Sequence, residues 1–446
     1  MARERANPLI TDFDNIPAEA LVPEDEQPYE IPVHWKWVRL GGFCEYIQRG
    51  KGPKYVEESS FKAVSQKCVR WGGLDIAQSR CWDESSFLAL DKIRILRVGD
   101  LLWNSTGTGT VGRVVQLSLI DIDEAAPMAA DSHVTVIRTA PLLNGGYLLE
   151  FLSSEHIQSR VESELASGTT NQKELNLSTI KMLPIPLPPI DEQKAIVGRL
   201  QATGQKIDDV LERLGQFLDQ APQHRAAIIQ AGVTGALAKE WRLANKVCWP
   251  SSETTKLFDF VTSGSRGWSK YYSDTGAMFL RMGNLTGDSI DLDLSGLQRV
   301  ELPEKVEGRR SQVASGDLLI SITADVGHVA LIRGLNEVAY INQHLALARP
   351  AAHVLPEFLA WYLRAPVGIA NIRAKQRGAT KTGLGLEDIR SLAVELPEPE
   401  EQAEIVRRLR AALEQLNQAC NCVVEASGQL INAKRVARSL ALRGGS

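Results

Sequence analysis

LPIPLPPIDEQKAIVGRL, residues 183–200, sets apolar residues between prolines and then turns at once into a charged run of helical period. Residues 393–409, AVELPEPEEQAEIVRRL, repeat the construction. Aligning Glu192-Gln193 with Glu401-Gln402 gives an offset of 209, and the same offset carries Ile180 to Ile389, Ile196 to Ile405 and Leu200 to Leu409. Upstream the match continues with small slips. SGTTNQKELNLSTIKMLPI (167–185) faces RGATKTGLGLEDIRSLAVEL (377–396), and DSHVTVIR (131–138) faces NQHLALAR (342–349). VGDLLWNSTGTGTVGRV (98–114) faces SGDLLISITADVGHVAL (315–331). The order is the same in both halves, so the chain is a tandem duplication of a domain-sized unit, not a solenoid with a period of about 20–50 residues.

Each unit reads as mixed α/β. GDLLWNST and GDLLISIT look like strands running into turns, and HVTVIR and HLALAR alternate as strands do. GGYLLEFLSSEHIQSRVESEL and EFLAWYLRAPVGIANIRAKQ look helical, the second interrupted near Pro366. The strap prolines hold the chain extended and are expected to stay out of any ladder, ending each unit and fixing how the helix leaves it. Asp191, Glu192, Glu400 and Glu401 lie at the helix starts, where acids suit the dipole.

Beyond the first strap, apolar or small residues recur in alternating steps of 4 and 3 at Ile196, Leu200, Thr203, Ile207, Val210, Leu214, Phe217 and Ala221. Beyond the second they recur at Ile405, Leu409, Ala412, Leu416, Ala419, Val423, Ala426, Leu430, Ala433, Ala437 and Leu440. A sustained period of about 3.5 is a coiled-coil seam, and each seam is the natural partner of the other. Pro222 is expected to end or kink the first helix. The fold class expected is therefore two tandem α/β (α+β) globular domains joined by two long helices that pair as a coiled coil.

The 446 residues allow two or three domains; 44% are hydrophobic and 23% charged, ordinary values for a globular protein. No apolar run reaches the roughly 18 residues needed to span a bilayer. Cys44, Cys68, Cys81, Cys248, Cys420 and Cys422 form no CxxC pair, so no zinc ribbon or thioredoxin-type site is indicated, and reduced cytoplasmic thiols are expected. The net charge of −4 argues against a free-standing nucleic-acid binder but leaves room for local basic clefts.

Catalytic motifs are wanting. Gly107, Gly109 and Gly112 match GxGxxG, yet strand-like RVVQLSL follows where a nucleotide site needs a helix, so a hairpin turn is expected. Glu192-Gln193-Lys194 has a nuclease-like flavour, but its repeat, Glu401-Gln402-Ala403, lacks the lysine. There is no GxxxxGK[ST], and no metal site or catalytic residue is expected. His133 and His344 are equivalent and stand at strand starts, which suits a structural or DNA-adjacent hydrogen bond.

Candidate DNA contacts cluster. Residues 358–386 hold Arg364, Arg373, Lys375, Arg377 and Lys381 and no acid, and Arg377-Gly378-Ala379-Thr380-Lys381 suits phosphates. Its counterpart includes Thr170, Asn171 and Lys173, whose amide could read adenine edges. Arg49, Lys51 and Lys54, Arg113, and Arg266 and Lys270 beside Trp268, Tyr271 and Tyr272 complete the candidates.

With both straps in view, the sequence resembles the specificity subunit of type I restriction–modification enzymes. PIPLPPIDEQKAIVGRL, ELPEPEEQAEIVRRL, PVHWKWVRL (32–40), GALAKEWR (235–242) and the paired GDLL segments carry the resemblance, which covers almost the whole chain past residue 31. It implies target-recognition domains at 31–186 and 246–396, helical spacers at 187–245 and 397–446, and an acidic tail at 1–30. Each domain would read one half of a split double-stranded DNA site, and the coiled coil between them would be antiparallel and act as the ruler. Two methyltransferase subunits would dock on the helices, and two endonuclease–translocase subunits would join them. S-adenosylmethionine, ATP and Mg²⁺ would belong to those partners, none to this chain. The second unit opens with KVCWPSSETTKLFDFV, without the full PxxWxW of the first, and Glu398 stands between prolines where the first strap has Leu187-Pro188-Pro189. The rival from another class is an adaptor whose duplicated domains bind proteins and not DNA.

Overall fold

The computed structural model describes residues 9–167, 173–245, 251–253, 257–264, 266–287, 289–303, 308–376 and 383–445. The chain forms two compact units, Met1–Glu212 with Ala426–Ser446, and Arg213–Glu425.

In unit 1, β1 (Lys36–Arg39) and β2 (Cys44–Arg49) precede β3 (Leu101–Asn104), β4 (Val114–Gln116) and β5 (Val134–Thr139). Helix α1 (Gly145–Leu152), β6 (Pro184–Leu187) and α2 (Ile190–Val233) follow. The main sheet is antiparallel in the order β2-β5-β3-β4. Every residue of β3 is buried, because both faces are covered and period-2 alternation divides its side chains between them. Leu101 and Trp103 join Tyr147, Leu148, Phe151, Ile180 and Ile196 on the helical face. Leu102 joins Val64, Cys68, Val69, Val115 and Val136 on the other. There a second sheet lies, in the order Met128–Ala130, Lys62–Val64, Arg80–Trp82, Tyr55–Val56.

Unit 2 repeats this plan with β7 (Ser251–Glu253), β8 (Phe258–Ser263), β9 (Leu318–Ser321), β10 (Val329–Leu331), β11 (Leu345–Pro350), α3 (Pro356–Arg364), β12 (Ala393–Glu395) and α4 (Pro399–Ala441). Its main sheet runs β8-β11-β9-β10, the order of unit 1. Leu318 and Ile320 face the helical core and Leu319 the opposite one.

The straps depart from expectation in one respect. The first is not excluded from a ladder: β6 pairs antiparallel with β1, placing Trp37 opposite Pro186 and Arg39 opposite Pro184. Pro184 and Pro186 are two residues apart, so their missing N–H groups point to the same side, and Pro186 O accepts from Tyr147 Oη at 2.9 Å on the side away from β1. In unit 2, β12 pairs with β7 and the prolines come after the strand, with Pro399 opening α4.

The glutamine of each strap has a clear task. Gln193 is fully buried; its Nε2 donates to Pro188 O at 2.8 Å and Leu142 O at 2.9 Å, while its Oε1 accepts from Asn144 N at 2.8 Å. Gln402 does the same with Pro397 O at 2.8 Å, His353 O at 3.3 Å and Leu355 N at 2.6 Å. Each amide locks the long helix to the loop that follows the last sheet strand. Glu192 pairs with His34 at 2.9 Å, and buried Glu401 with Arg242 at 3.1 Å.

Within unit 1, Ile196 shares a core with Leu442 while Asp208 meets Lys434 at 2.7 Å, so the two helix segments run antiparallel. Within unit 2, Arg225 bonds Asn417 and Gly232 lies against Leu409, again antiparallel. Pro222 neither ends α2 nor interrupts it: the helix continues to Val233. On the seam Ile196, Ile405, Leu409 and Leu416 are buried, and Leu200, Ile207, Leu214, Val423 and Leu430 are half-buried. Thr203, Val210, Ala433 and Leu440 are exposed instead, and Val406 and Leu413 are buried off the seam in the unit 2 core. An undistorted helix drifts about 20° per heptad from a 3.5 repeat, so a long stripe does not stay on one face.

The first helical run is also shorter than its pattern. α1 stops at Leu152, and Ser154 caps a second helix, Glu155–Arg160, by accepting from Ile157 N. Residues 9–31 form a strap over unit 1: Leu21 bridges Val38, and Ile10, Phe13 and Ile16 pack on the core.

Candidate nucleic-acid interface

Strand register brings one set of loops to one end of the unit 1 sheet. Arg49 lies opposite Thr135, Asn104 opposite Val134, and Trp103 opposite Val114. The C-terminal ends of β2 and β3 thus meet the N-terminal ends of β4 and β5. At that end Thr106 Oγ1 and His133 Nδ1 are 2.6 Å apart. Thr106 Oγ1 also donates to Gln66 Oε1 at 3.4 Å, and Asn104 Nδ2 donates to Gln66 O at 3.0 Å. Thr106 bridges to Glu174.

The basic candidates surround this point. Arg49 donates to Glu174 Oε1 at 2.6 Å and to Leu175 O at 2.8 Å. Arg113 donates to Gly109 O at 2.8 Å and Lys173 to Glu162 O at 2.5 Å. Lys51 is exposed. Lys54 stands apart, on Asp83 at 3.2 Å beside the second sheet. Thr170 and Asn171 lie outside the described residues. The GTGTVG stretch is the connection between antiparallel β3 and β4, so a phosphate-cradling helix N-terminus is not formed there.

Unit 2 has the same centre. Thr323 Oγ1 and His344 Nδ1 are 2.6 Å apart, and Thr323 bridges to Gly383 as Thr106 does to Glu174. Here a cavity of about 860 Å³ opens, lined among others by Arg281, Met282, Gly283, Gly296, Ala324 and His344. Ala324 has φ +60°, the left-handed region that costs an L-residue roughly 1–2 kcal/mol. Arg266 is exposed, Lys270 lies 4.9 Å from the Tyr271 ring centre, Arg373 is exposed and Lys375 half-buried. Trp268 is not a surface group: it stacks on Phe279 in a core. Arg377 and Lys381 lie outside the described residues.

Behind each centre sits the same rigid support. Arg138 Nε and Nη2 reach the two oxygens of fully buried Asp100 at 2.7 and 2.8 Å. Arg349 grips buried Asp317 at the same distances. A bidentate pair of this kind fixes the strand carrying the histidine against the strand carrying the threonine. Burial pushes the Asp131 carboxyl up, opposed in part by the N–H of His133; unit 2 has neutral Asn342 in that place, bonded to His344 N at 3.1 Å. Among the described residues no cluster of His, Cys, Asp or Glu could hold a metal.

The repeat points to the two histidines but not to Gln66 or to the short hairpin after it, Val69–Arg70 paired with Gly73–Leu74. The readable signal was Trp71-Gly72 between two short strand-like pairs.

Two like domains, each with a loop-built polar centre at one sheet end and a long helix at its close, define a duplicated recognition protein. The family model of the type I restriction modification DNA specificity domain matches residues 32–214 and again 270–426, and the chain belongs to that family. The specificity subunit of type I restriction enzyme EcoBI of Escherichia coli is 25% identical over 72% of this chain and 73% of its own length. That of EcoKI, from Escherichia coli K12, is 25% identical over 61% of this chain and 60% of its own length. Among solved structures the HsdS subunit of Thermoanaerobacter tengcongensis superposes with a TM-score of 0.63 at 20% identity, covering 94% of this chain and 99% of that one. As a member of this family the chain is a DNA-recognition subunit and not itself an enzyme.

Proposed function

We propose that each unit reads one half of a bipartite double-stranded DNA site through the loops at its Thr–His sheet end. Recognition domains at 31–186 and 246–396 alternate with helical spacers at 187–245 and 397–446; the helices set the distance between half-sites and dock methyltransferase subunits. Those subunits bring S-adenosylmethionine, and restriction subunits bring ATP and Mg²⁺, in the cytoplasm. The observation that carries the reading is the duplication of one centre, Thr106–His133 and Thr323–His344, on equivalent strand ends in a chain of this family. Loops on a rigid sheet are where binding residues concentrate. No described helix is long and apolar enough to cross a membrane.

The test is reconstitution with the methyltransferase partner, followed by DNA binding against salt. A steep fall in affinity with salt and preference for one split sequence are expected. Indifference to DNA with intact partner assembly would make the chain a protein adaptor instead. Adding one heptad to both α2 and α4 should change the preferred spacing between half-sites; an unchanged spacing removes the ruler.

A further inference from the structure

The hairpin 69–74 of unit 1 is anchored at its root and bare at its tip. Cys68 and Val69 are fully buried in the core behind the sheet, with Leu74 packed against it. Arg70 pairs with Gly73, leaving Trp71-Gly72 as a two-residue turn in which Gly72 adopts φ +92°. Trp71 is 55% exposed. More than half of this large aromatic faces solvent in the free chain, and it gains when something covers the ring. Little freedom is lost on binding, since an indole has two side-chain torsions and the turn is already set.

The surroundings indicate what covers it. Residues 62–81 contain Lys62, Lys67, Arg70 and Arg80 against the single acid Asp75, in a chain whose net charge is −4. The root of the hairpin is at the Thr106–His133 centre, because Gln66 both accepts from Thr106 and receives Asn104. A two-stranded ribbon is the size the major groove of B-DNA admits, and apolar side chains there contact thymine methyl groups. Unit 2 supplies the contrast. Asp131 N donates to Val64 O and Asn342 N to Leu280 O, which sets the two places in register. After Leu280 the described residues form a short turn, Met282–Asn284, and a single bridge from Leu285 to Leu292, with Asp291 and Asp293 nearby in sequence.

We propose that the Trp71 hairpin is a specificity element of unit 1 that enters the DNA major groove, with the indole on base edges and Lys67 and Arg70 on the flanking phosphates. The inference rests on the DNA-reading function proposed above and assigns to that function a residue that unit 2 lacks.

The test uses the full chain with its methyltransferase subunits and three duplexes: the bipartite sequence methylated in the host, and the same duplex with one or the other half scrambled. Trp71→Ala should lower affinity for the intact site about tenfold, the size of one lost base-pair contact. It should reduce discrimination against scrambling of one half only, by about the same factor, with partner assembly and melting temperature unchanged. Trp71→Phe should retain most of the discrimination. The double variant Lys67→Ala/Arg70→Ala should weaken all three duplexes alike and reduce the salt slope by about two. Full discrimination of both halves by Trp71→Ala overturns the proposal while leaving the DNA-reading function standing. Loss of methyltransferase assembly would overturn it in favour of a protein-docking surface. A wild-type complex indifferent to all three sequences would bring down the function itself.

Discussion

In unit 1 the side chain of Gln66 reaches Thr106 and lies against Gly107; in unit 2 the equivalent ground is held by Met282 and Gly283, and a cavity of about 860 Å³ opens there. Yet the Thr–His contact is 2.6 Å in both, and the Arg–Asp grip behind it is the same atom for atom. Duplication has kept the frame and varied what stands on it. Shared residues can serve only what both units do in common, which is to hold strands in place and meet a repeated backbone of phosphates. On the function proposed above, residues that differ, Gln66 and Gly107 against Met282 and Ala324, are where two different half-sites can be told apart.

That division can be broken at the frame first. Removing the carboxylate from Asp100 leaves the guanidinium of Arg138, 12% exposed, without its partner. Asp100→Ala should cost about 3–5 kcal/mol, seen in urea unfolding of the purified chain. Arg349 is 43% exposed, so water can replace Asp317 more easily; Asp317→Ala should cost clearly less. Equal losses would mean that burial does not separate the two grips.

The strap amides come next. Gln193→Ala strands Asn144 N, Leu142 O and Pro188 O, and Gln402→Ala strands their counterparts. Each should destabilise by about 2 kcal/mol, with nearly equal midpoint shifts, since both glutamines are fully buried. A large inequality would show that the two helix starts are not the same device.

A smaller and reciprocal effect is expected where the loops diverge. Ala324→Gly should stabilise by about 1 kcal/mol by relieving a left-handed alanine. Gly107→Ala should destabilise, since at φ +103° its added carbon would stand 2.5 Å from Gln66 Oε1 and Thr110 Oγ1. Thermal melts compare the two directly.

The smallest effect depends on pH. Asp131 has its carboxyl raised by burial, so the ionised group costs the folded state at neutral pH. The cost fades as pH falls below the usual carboxylate range, where both states are protonated. Asp131→Asn, which copies Asn342, should raise stability at pH 7 by less than about 1 kcal/mol and leave it unchanged near pH 3. A gain that persists in acid would point to shape, not charge.

Much of this was legible beforehand. The Glu-Gln after each strap, the strands beginning GDLL and the pairing of the two seams come from spacing between neighbours, and the antiparallel sense of that pairing from the family resemblance. The failures were local rules applied too strictly. Local rules bar Pro184 and Pro186 from a ladder that they join with their ring nitrogens turned away, and expect Pro222 to end or kink a helix that runs through it. The sequence sets Trp268 among cations, and its core partners, Phe279 and Tyr340, are not adjacent to it along the chain.

From the order of residues alone came the duplication, the mixed class of each domain and the length of the second long helix, because periodicity and repeat are properties of residues close along the chain. The tertiary structure alone decided which side chains stand together: Thr106 with His133 and Gln66, or Glu150 with Arg438 at 2.7 Å. It also decided that each compact unit takes the near part of one long helix and the far part of the other. The physical reason is that strand register and helix pairing join positions tens to hundreds of residues apart, and those contacts leave no period in the sequence to read.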